Sequence, residues 1–374
     1  MVYNFSAGPA LLPAPVYARA AEAIHELRMD GHAHNAPGTG MSILEISHRS
    51  KAFGAILQHA QVLCHEVLGI PRTHQVLFLQ GGASLQFTMV PMNLAHPDKF
   101  AAYIDTGSWA TKAINESQII GDTRVIASAS DTGYDRVPQF PTPNLYAGAS
   151  YLHLTTNETI QGVEYPDVPA VAGDVPVVID FSSHAGSRPM SLERATLGYA
   201  GAQKNLGPSG VTLVYVHKDV LARAQDEHIP MILRYQTHAK EPSVYNTPNT
   251  FGVLVLQLVL EWMRDEGGLA IIAERNTRKA TKLYELLDGS TLYRPHAQVG
   301  SRSQMNVTWR LAASSTQQQE QATKRFLEQA TLAGFDGLQG HRTVGGCRAS
   351  IYNAFPERGV TALCEFMREF ERRA

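Results

Sequence analysis

Lys204 stands in Gly198-Tyr-Ala-Gly-Ala-Gln-Lys204-Asn-Leu-Gly-Pro208, a lone lysine among small and turn-forming residues. Such a setting strips water from an ammonium, lowers its pKa and leaves a neutral amine able to attack a carbonyl. Upstream, Asp180 closes Val175-Pro-Val-Val-Ile-Asp180-Phe-Ser-Ser183, an apolar run that reads as a buried strand ending in an acid. The C-terminal ends of strands are where α/β sheets bind ligands. Between Asp180 and Lys204 there is room for a short connection and one more strand, so acid and amine can meet one flat ligand from two sides. Pyridoxal 5′-phosphate needs that pairing, a lysine to hold its aldehyde as an imine and an acid to keep its ring nitrogen protonated. Either residue alone is commonplace in an α/β protein; the reading rests on the pair.

The elements that must position them follow from periodicity. Helical spacing covers Pro13 to Met29 and Ser50 to Leu68, with the loop Asp30-Gly-His-Ala-His-Asn-Ala-Pro37 between them. Val76–Leu79 reads as a strand running through Gly81-Gly-Ala-Ser-Leu-Gln86 into a helix, an arrangement whose free N–H groups suit a phosphate. It lacks the spacing of a nucleotide fingerprint. Further strands are expected at Lys99–Ile104, Arg124–Ala127, Ala149–Leu154 and Gly210–Val216, and the alternation argues for a largely parallel sheet covered by helices. Phe251–Arg264 is a strong helix, and Gly267-Gly268 marks a candidate boundary. Beyond it, helices near Ala270–Leu287, Gln317–Ala333 and Val360–Arg373 and strands near Met305–Arg310 and Arg348–Tyr352 make a smaller α/β unit.

The chain has 374 residues, 32 basic and 34 acidic, and a formal charge of −2, with no basic block. Nothing in that balance argues for nucleic acid or an anionic membrane, so small molecules and protein are the expected partners. The first residues lack a signal peptide's basic start and apolar core, and Gly252–Trp262 is too short and interrupted to span a bilayer. Cys64, Cys347 and Cys364 have no metal-ligand or CxxC spacing, which fits a reduced cytoplasmic setting. His32 and His34, in a Gly/Pro loop with no third ligand, read as solvated, so no metal site is expected.

In order along the chain, Phe5-Ser-Ala-Gly-Pro9, Gly40-Met-Ser-Ile-Leu-Glu-Ile-Ser-His-Arg49, Thr156-Asn-Glu-Thr-Ile-Gln-Gly162, Ala200–Pro208 and Gly340-His-Arg-Thr-Val-Gly-Gly-Cys-Arg-Ala-Ser-Ile-Tyr-Asn353 resemble the phosphoserine aminotransferase family nearly end to end. The resemblance implies an α/β fold of PLP fold type I: a large domain with a mostly parallel seven-stranded sheet, over 16–266, and a smaller domain from 1–15 and 267–374. It also implies a homodimer with shared active sites. Lys204 would carry the Schiff base and move the proton between Cα and the cofactor C4′, and Asp180 would pair with the ring nitrogen. Trp109 would stack on the ring and Thr159 would reach its phenolic oxygen. Ala83, Ser84 and Gln203 would hold the phosphate, joined by Asn246 and Thr247 of the neighbouring subunit.

The implied substrates each carry an α-carboxylate and a second anionic group, and Arg forks suit both. Arg348 would take the α-carboxylate, while Arg49, His341 and Arg342 would surround the distal phosphate or γ-carboxylate. The implied reaction is transfer of the amino group of glutamate to 3-phosphohydroxypyruvate in serine biosynthesis; use of 4-phosphohydroxythreonine, in pyridoxine biosynthesis, stays open. Two departures from the family pattern stand out: Ser84 replaces an Arg found in some members, and the loop Asp30–Pro37 looks longer than usual. Two rivals remain. A desulfurase-like lyase of the same fold type would need a loop cysteine that is missing here, and a non-catalytic anion-binding protein would form no imine with Lys204.

Overall fold

The computed structural model describes residues 2–28, 38–223 and 228–373. The loop expected at Asp30–Pro37, with His32 and His34, lies outside them. In chain order the strands are β1 (Tyr3–Asn4), β2 (His74–Leu79), β3 (Ala101–Asp105), β4 (Thr123–Ser128), β5 (Tyr151–Thr155), β6 (Asn157–Glu158), β7 (Val163–Glu164), β8 (Val177–Asp180), β9 (Leu197–Gly201), β10 (Thr212–His217), β11 (Tyr293–Pro295), β12 (Asn306–Leu311), β13 (Phe335–Asp336) and β14 (Cys347–Ser350). The helices are α1 (Ala14–His25), α2 (Lys51–Val67), α3 (Gly82–Leu94), α4 (Ser108–Ile120), α5 (Lys218–Arg223), α6 (Tyr235–Lys240), α7 (Thr250–Asp265), α8 (Gly268–Gly289), α9 (Thr316–Leu332) and α10 (Glu357–Arg373).

A seven-stranded sheet in the order β2-β10-β9-β8-β5-β3-β4 forms the centre. β10 alone runs against its neighbours β2 and β9, while β9, β8, β5, β3 and β4 pair in parallel. β5 and β8 are buried at every position, as strands covered on both faces must be. On one face α1, α2 and α7 pack into a core with Val16, Phe53, Leu57, Val259 and Met263. On the other, α3 and α4 bring Phe87, Val90, Ala113 and Ile114 against Leu77, Tyr103 and Tyr199. A separate core gathers α8, α9 and α10 around the antiparallel β11-β12-β14 sheet, and Phe5 from the N-terminal segment belongs to it. Helix starts follow the capping rules: the Ser50 hydroxyl accepts the N–H of Phe53, and the Asn249 side chain that of Gly252.

Two expectations change. The helix begun at Ala14 stops at His25, where Glu26 turns extended and Leu27 donates its N–H to the carbonyl of Met41. The string before Lys204, read as turn-rich, is strand in its first half. β9 lies between β8 and β10, and a Cβ on Gly198 would sit 2.3 Å from Cε1 of Tyr215. Glycine is there so that an aromatic ring can cross the strand, not to make a turn.

Candidate active site

Parallel strands deliver the chemistry to one edge. Asp180 ends β8 with 4% exposure, and its Oδ1 accepts the N–H and the hydroxyl of Ser182 at 3.0 and 2.6 Å. Among the described residues Oδ2 has no hydrogen-bond partner. The backbone carbonyl of Asp180 accepts the Thr156 N–H and hydroxyl, so the acid is fixed from both ends. Burial raises the Asp180 carboxyl, and Lys204 and Ser182 pull it back.

Lys204 follows β9 after two turn residues, Ala202 and Gln203. Its Nζ donates to the Thr159 hydroxyl at 2.6 Å and lies 5.4 Å from the centroid of the Trp109 ring. Burial lowers its pKa to about 8; Asp180 and Glu158 oppose that and Arg348 adds to it. The sequence reading asked for an amine of this kind. Trp109 sits in the first turn of α4, half-buried, with its Nε1 enclosed and without a partner. Thr159 starts the turn of the β6–β7 hairpin, which the small core clasps: Thr308 donates its hydroxyl to Gln161 O at 2.7 Å, and Ser303 its N–H to Gly162 O.

The N-terminal motif explains itself here. Ala10 donates to the carbonyl of Gln203, Tyr352 donates its hydroxyl to Ala7 O, and a Cβ on Gly8 would lie 3.3 Å from Cγ of Gln203. Phe5-Ser-Ala-Gly-Pro9 is thus a wall beside the lysine. Ala83 and Ser84 lie in the first turn of α3, whose N-cap, Gly81, is left-handed at φ 89° and offers no side-chain cap. Free N–H groups in that position suit an anion.

Cations gather on the opposite side. Arg348 is in β14, partly buried, with an enclosed Nε lacking a partner; burial is the first cause of its lowered pKa. His341 and Arg342 ride a closed turn in which Gly340 N–H meets Gly346 O and a Cβ on Gly340 would lie 2.1 Å from Gly345 O. The His341 pKa is lowered by burial first and then by the charges of Arg348, Lys112 and Arg342. Arg49 is not brought there. It is exposed ahead of α2, its Nε hydrogen-bonded to His48, and among the described residues it touches none of this group. Asn246 and Thr247 are exposed on the loop before α7, where the Thr247 carbonyl accepts Nε2 of Gln80 at 2.7 Å.

Two residues escaped the sequence reading. Lys112 holds its Nζ 4.2 Å above the Trp109 ring, and the three-residue spacing on a helix was the signal available. Glu158 is fully buried beside Thr159, accepting the N–H groups of Trp109 and Ala110 at 3.0 and 2.9 Å. It lay inside a quoted motif, but only the fold shows what it faces.

The family model for aminotransferase class-V matches residues 2–363. The chain belongs to the class-V aminotransferases. Within that family it is 47% identical over 372 residues to the phosphoserine aminotransferase of Geobacillus kaustophilus, covering 99% of this chain and 98% of that one. To the phosphoserine aminotransferase of Herpetosiphon aurantiacus it is 47% identical over 370 residues, covering 99% and 98%. Among class-V structures, the phosphoserine aminotransferase from Bacillus circulans subsp. alkalophilus superposes with a TM-score of 0.91 at 44% identity, covering 100% of this chain and 99% of that one. The PLP-bound enzyme from Trichomonas vaginalis gives 0.87 at 32% identity over 98% and 100%. The class-V fold expected from sequence, PLP fold type I with a mostly parallel sheet, is the one found.

Proposed function

We propose that the chain is a phosphoserine aminotransferase, interconverting 3-phosphohydroxypyruvate plus L-glutamate with O-phospho-L-serine plus 2-oxoglutarate in serine biosynthesis. The observation that carries the reading is Lys204: a buried amine of lowered pKa, 2.6 Å from a hydroxyl, beside an aromatic ring and a buried acid. The residues fit pyridoxal 5′-phosphate. Trp109 Nε1 and Arg348 Nε are enclosed and unpartnered, Asp180 keeps one oxygen uncommitted, and the start of α3 is uncapped.

When bound, the cofactor supplies an aldehyde that accepts the amino group and a ring that draws electrons from the substrate Cα. Lys204 would hold that aldehyde covalently, then take the Cα proton and deliver it to C4′. Its depressed pKa keeps a useful fraction neutral near pH 7. Asp180 would keep a proton on the ring nitrogen with the oxygen that Ser182 leaves free. The Thr159 hydroxyl, now held by Lys204, would turn to the phenolic oxygen, while Trp109 covers one ring face and excludes water. Ala83, Ser84 and Gln203 would bind the phosphate; with serine in place of arginine at 84, backbone N–H groups and hydroxyls carry more of the charge. Asn246 and Thr247 would complete that pocket across a homodimer.

Arg348 would take the α-carboxylate, and His341, Arg342 and Lys112 the distal anion. Arg49, with no contact to this group in its own chain, is read as serving the partner subunit's site. Ping-pong kinetics follow, because both half-reactions use one site. The large unit 16–266 carries Lys204 and Asp180 in this reading, and 267–374 with 1–15 the substrate arginine. The described residues contain no helix long and apolar enough to cross a membrane and no cluster able to hold a metal. A cytoplasmic setting belongs to the same proposal.

The test is spectroscopic. Purified protein loaded with cofactor should change its visible absorption with glutamate alone, and borohydride should fix the cofactor to Lys204. Absence of any change with glutamate or phosphoserine, together with sulfur release from cysteine, would replace this reading with the lyase.

A further inference from the structure

Of the buried acids that take no part in the mechanism above, Glu158 lies beside the lysine amine. Glu158 has no exposed surface and sits between the two elements that flank the lysine amine. Its Oε2 accepts the N–H of Trp109 at 3.0 Å, and its Oε1 accepts the N–H of Ala110 at 2.9 Å and the hydroxyl of Thr106 at 3.3 Å. Those N–H groups belong to the first turn of α4, where a carboxylate also meets the positive end of the helix dipole. The next residue in the chain, Thr159, holds Lys204. Crowding reinforces the tie: a Cβ on Gly107 would lie 2.8 Å from both Cγ and Cδ of Glu158, and Gly107 itself takes φ 157°. Only glycine lets the helix start close down on the acid.

We infer that Glu158 is a positioning residue that clamps the helix carrying Trp109 to the hairpin carrying Thr159, and so sets the gap between the indole ring and the Lys204 amine. This rests on the aminotransferase reading, since the gap is where the flat cofactor would lie. A carboxylate is required because both of its oxygens face donors. A glutamine would turn its NH2 onto an N–H and break one side of the clamp. The charged and titrating groups acting on Glu158 are Asp180 and Lys204; Arg348 also acts on Lys204, and the Tyr134 hydroxyl feels Glu158. Burial pushes the Glu158 carboxyl up to about 7, while the N–H donors and Lys204 favour the ionised form. Its negative charge in turn supports the Lys204 ammonium.

Two variants and two readouts test the clamp. In cofactor-free protein, the pH dependence of Lys204 acylation by a small amine-reactive reagent, read by peptide mass, reports the amine. In loaded protein, circular dichroism in the cofactor's visible band reports how firmly the ring is held. Glu158→Gln should lower the midpoint of Lys204 labelling by about half a pH unit or more and cut the visible dichroism at least by half. Gly107→Ala, which keeps the charge but pushes the helix off the acid, should cut the dichroism and leave the labelling midpoint in place. A folded Glu158→Gln protein with undiminished dichroism would overturn the inference, whether or not its labelling midpoint moves. If that variant does not fold, undiminished dichroism in Gly107→Ala overturns it instead. Wild-type protein that captures no cofactor would fail the functional reading alone, because the clamp is then read in cofactor-free protein, where both variants should speed hydrogen exchange at the N–H groups of Trp109 and Ala110 that Glu158 holds and unchanged exchange would overturn it.

Discussion

At the scale of the residue, reactivity here is made by removing water. Lys204 was legible in the sequence because small neighbours cannot hydrate or pair with an amine. Its pKa of about 8 has burial as the largest cause. The neutral amine is the nucleophile, so capture of cofactor by the cofactor-free protein should quicken about tenfold per pH unit below that value and level off above it. Stopped-flow absorbance between pH 6 and 9 checks this, and a flat profile would mean that Lys204 is not the limiting group. Lys204→Ala should retain cofactor that dialysis removes but borohydride cannot fix, with turnover lost. At the other wall, Arg342→Gln should raise KM for 3-phosphohydroxypyruvate about ten- to hundredfold, the range of one charge-assisted contact. The KM for an uncharged 2-oxo acid should move little, and equal losses would place Arg342 outside the pocket. Lys112 was illegible for a plain reason: an exposed lysine on a helix is ordinary until the ring beneath it and the arginines opposite are seen.

At the scale of the element, Lys279 of α8 shows how the substrate arm is braced. Its Nζ donates to the carbonyls of Ile351, Tyr352 and Phe355 at 2.9, 2.6 and 3.1 Å, tying down the turn that follows the strand of Arg348. Beside it, Asn276 and Asn353 join, and the N–H of Asn353 reaches the side chain of Asn205, next to Lys204. Lys279→Met would leave buried carbonyls unpaired and should cost about 2–4 kcal/mol in denaturant unfolding. A loss under about 0.5 kcal/mol, the level of an ordinary surface change, would show that water replaces the ammonium. The helices were legible from their period, the apolar spacing over Ser50 to Leu68 being a clear case. A strand before Lys204 was expected from the spacing and is β9, but its glycines misled, because they speak for turns while the reason for them, the Tyr215 ring, lies on a neighbouring strand. Tertiary packing overrode a local signal there.

At the scale of the whole molecule, the proposed site draws on positions far apart in the chain, and exposed residues are among them. Asn246, Thr247 and Arg49 are exposed and lie outside the Lys204 group in their own chain. Mixing Lys204→Ala with a separately inactive Asn246/Thr247 double variant should restore activity once subunits exchange, since one site of each mixed dimer is then intact. No recovery despite verified exchange would reject the shared site. Spacing carries no record of which copy of a chain a residue serves, so a shared site was legible only through the family resemblance. The segment around Gly8 rests on Gln203, and its Ala7 carbonyl waits for the hydroxyl of Tyr352. A ribosome must add 345 residues after Ala7 to reach Tyr352. The wall beside the lysine therefore cannot close on a growing chain until synthesis has passed Tyr352, and secure capture of cofactor waits for that moment.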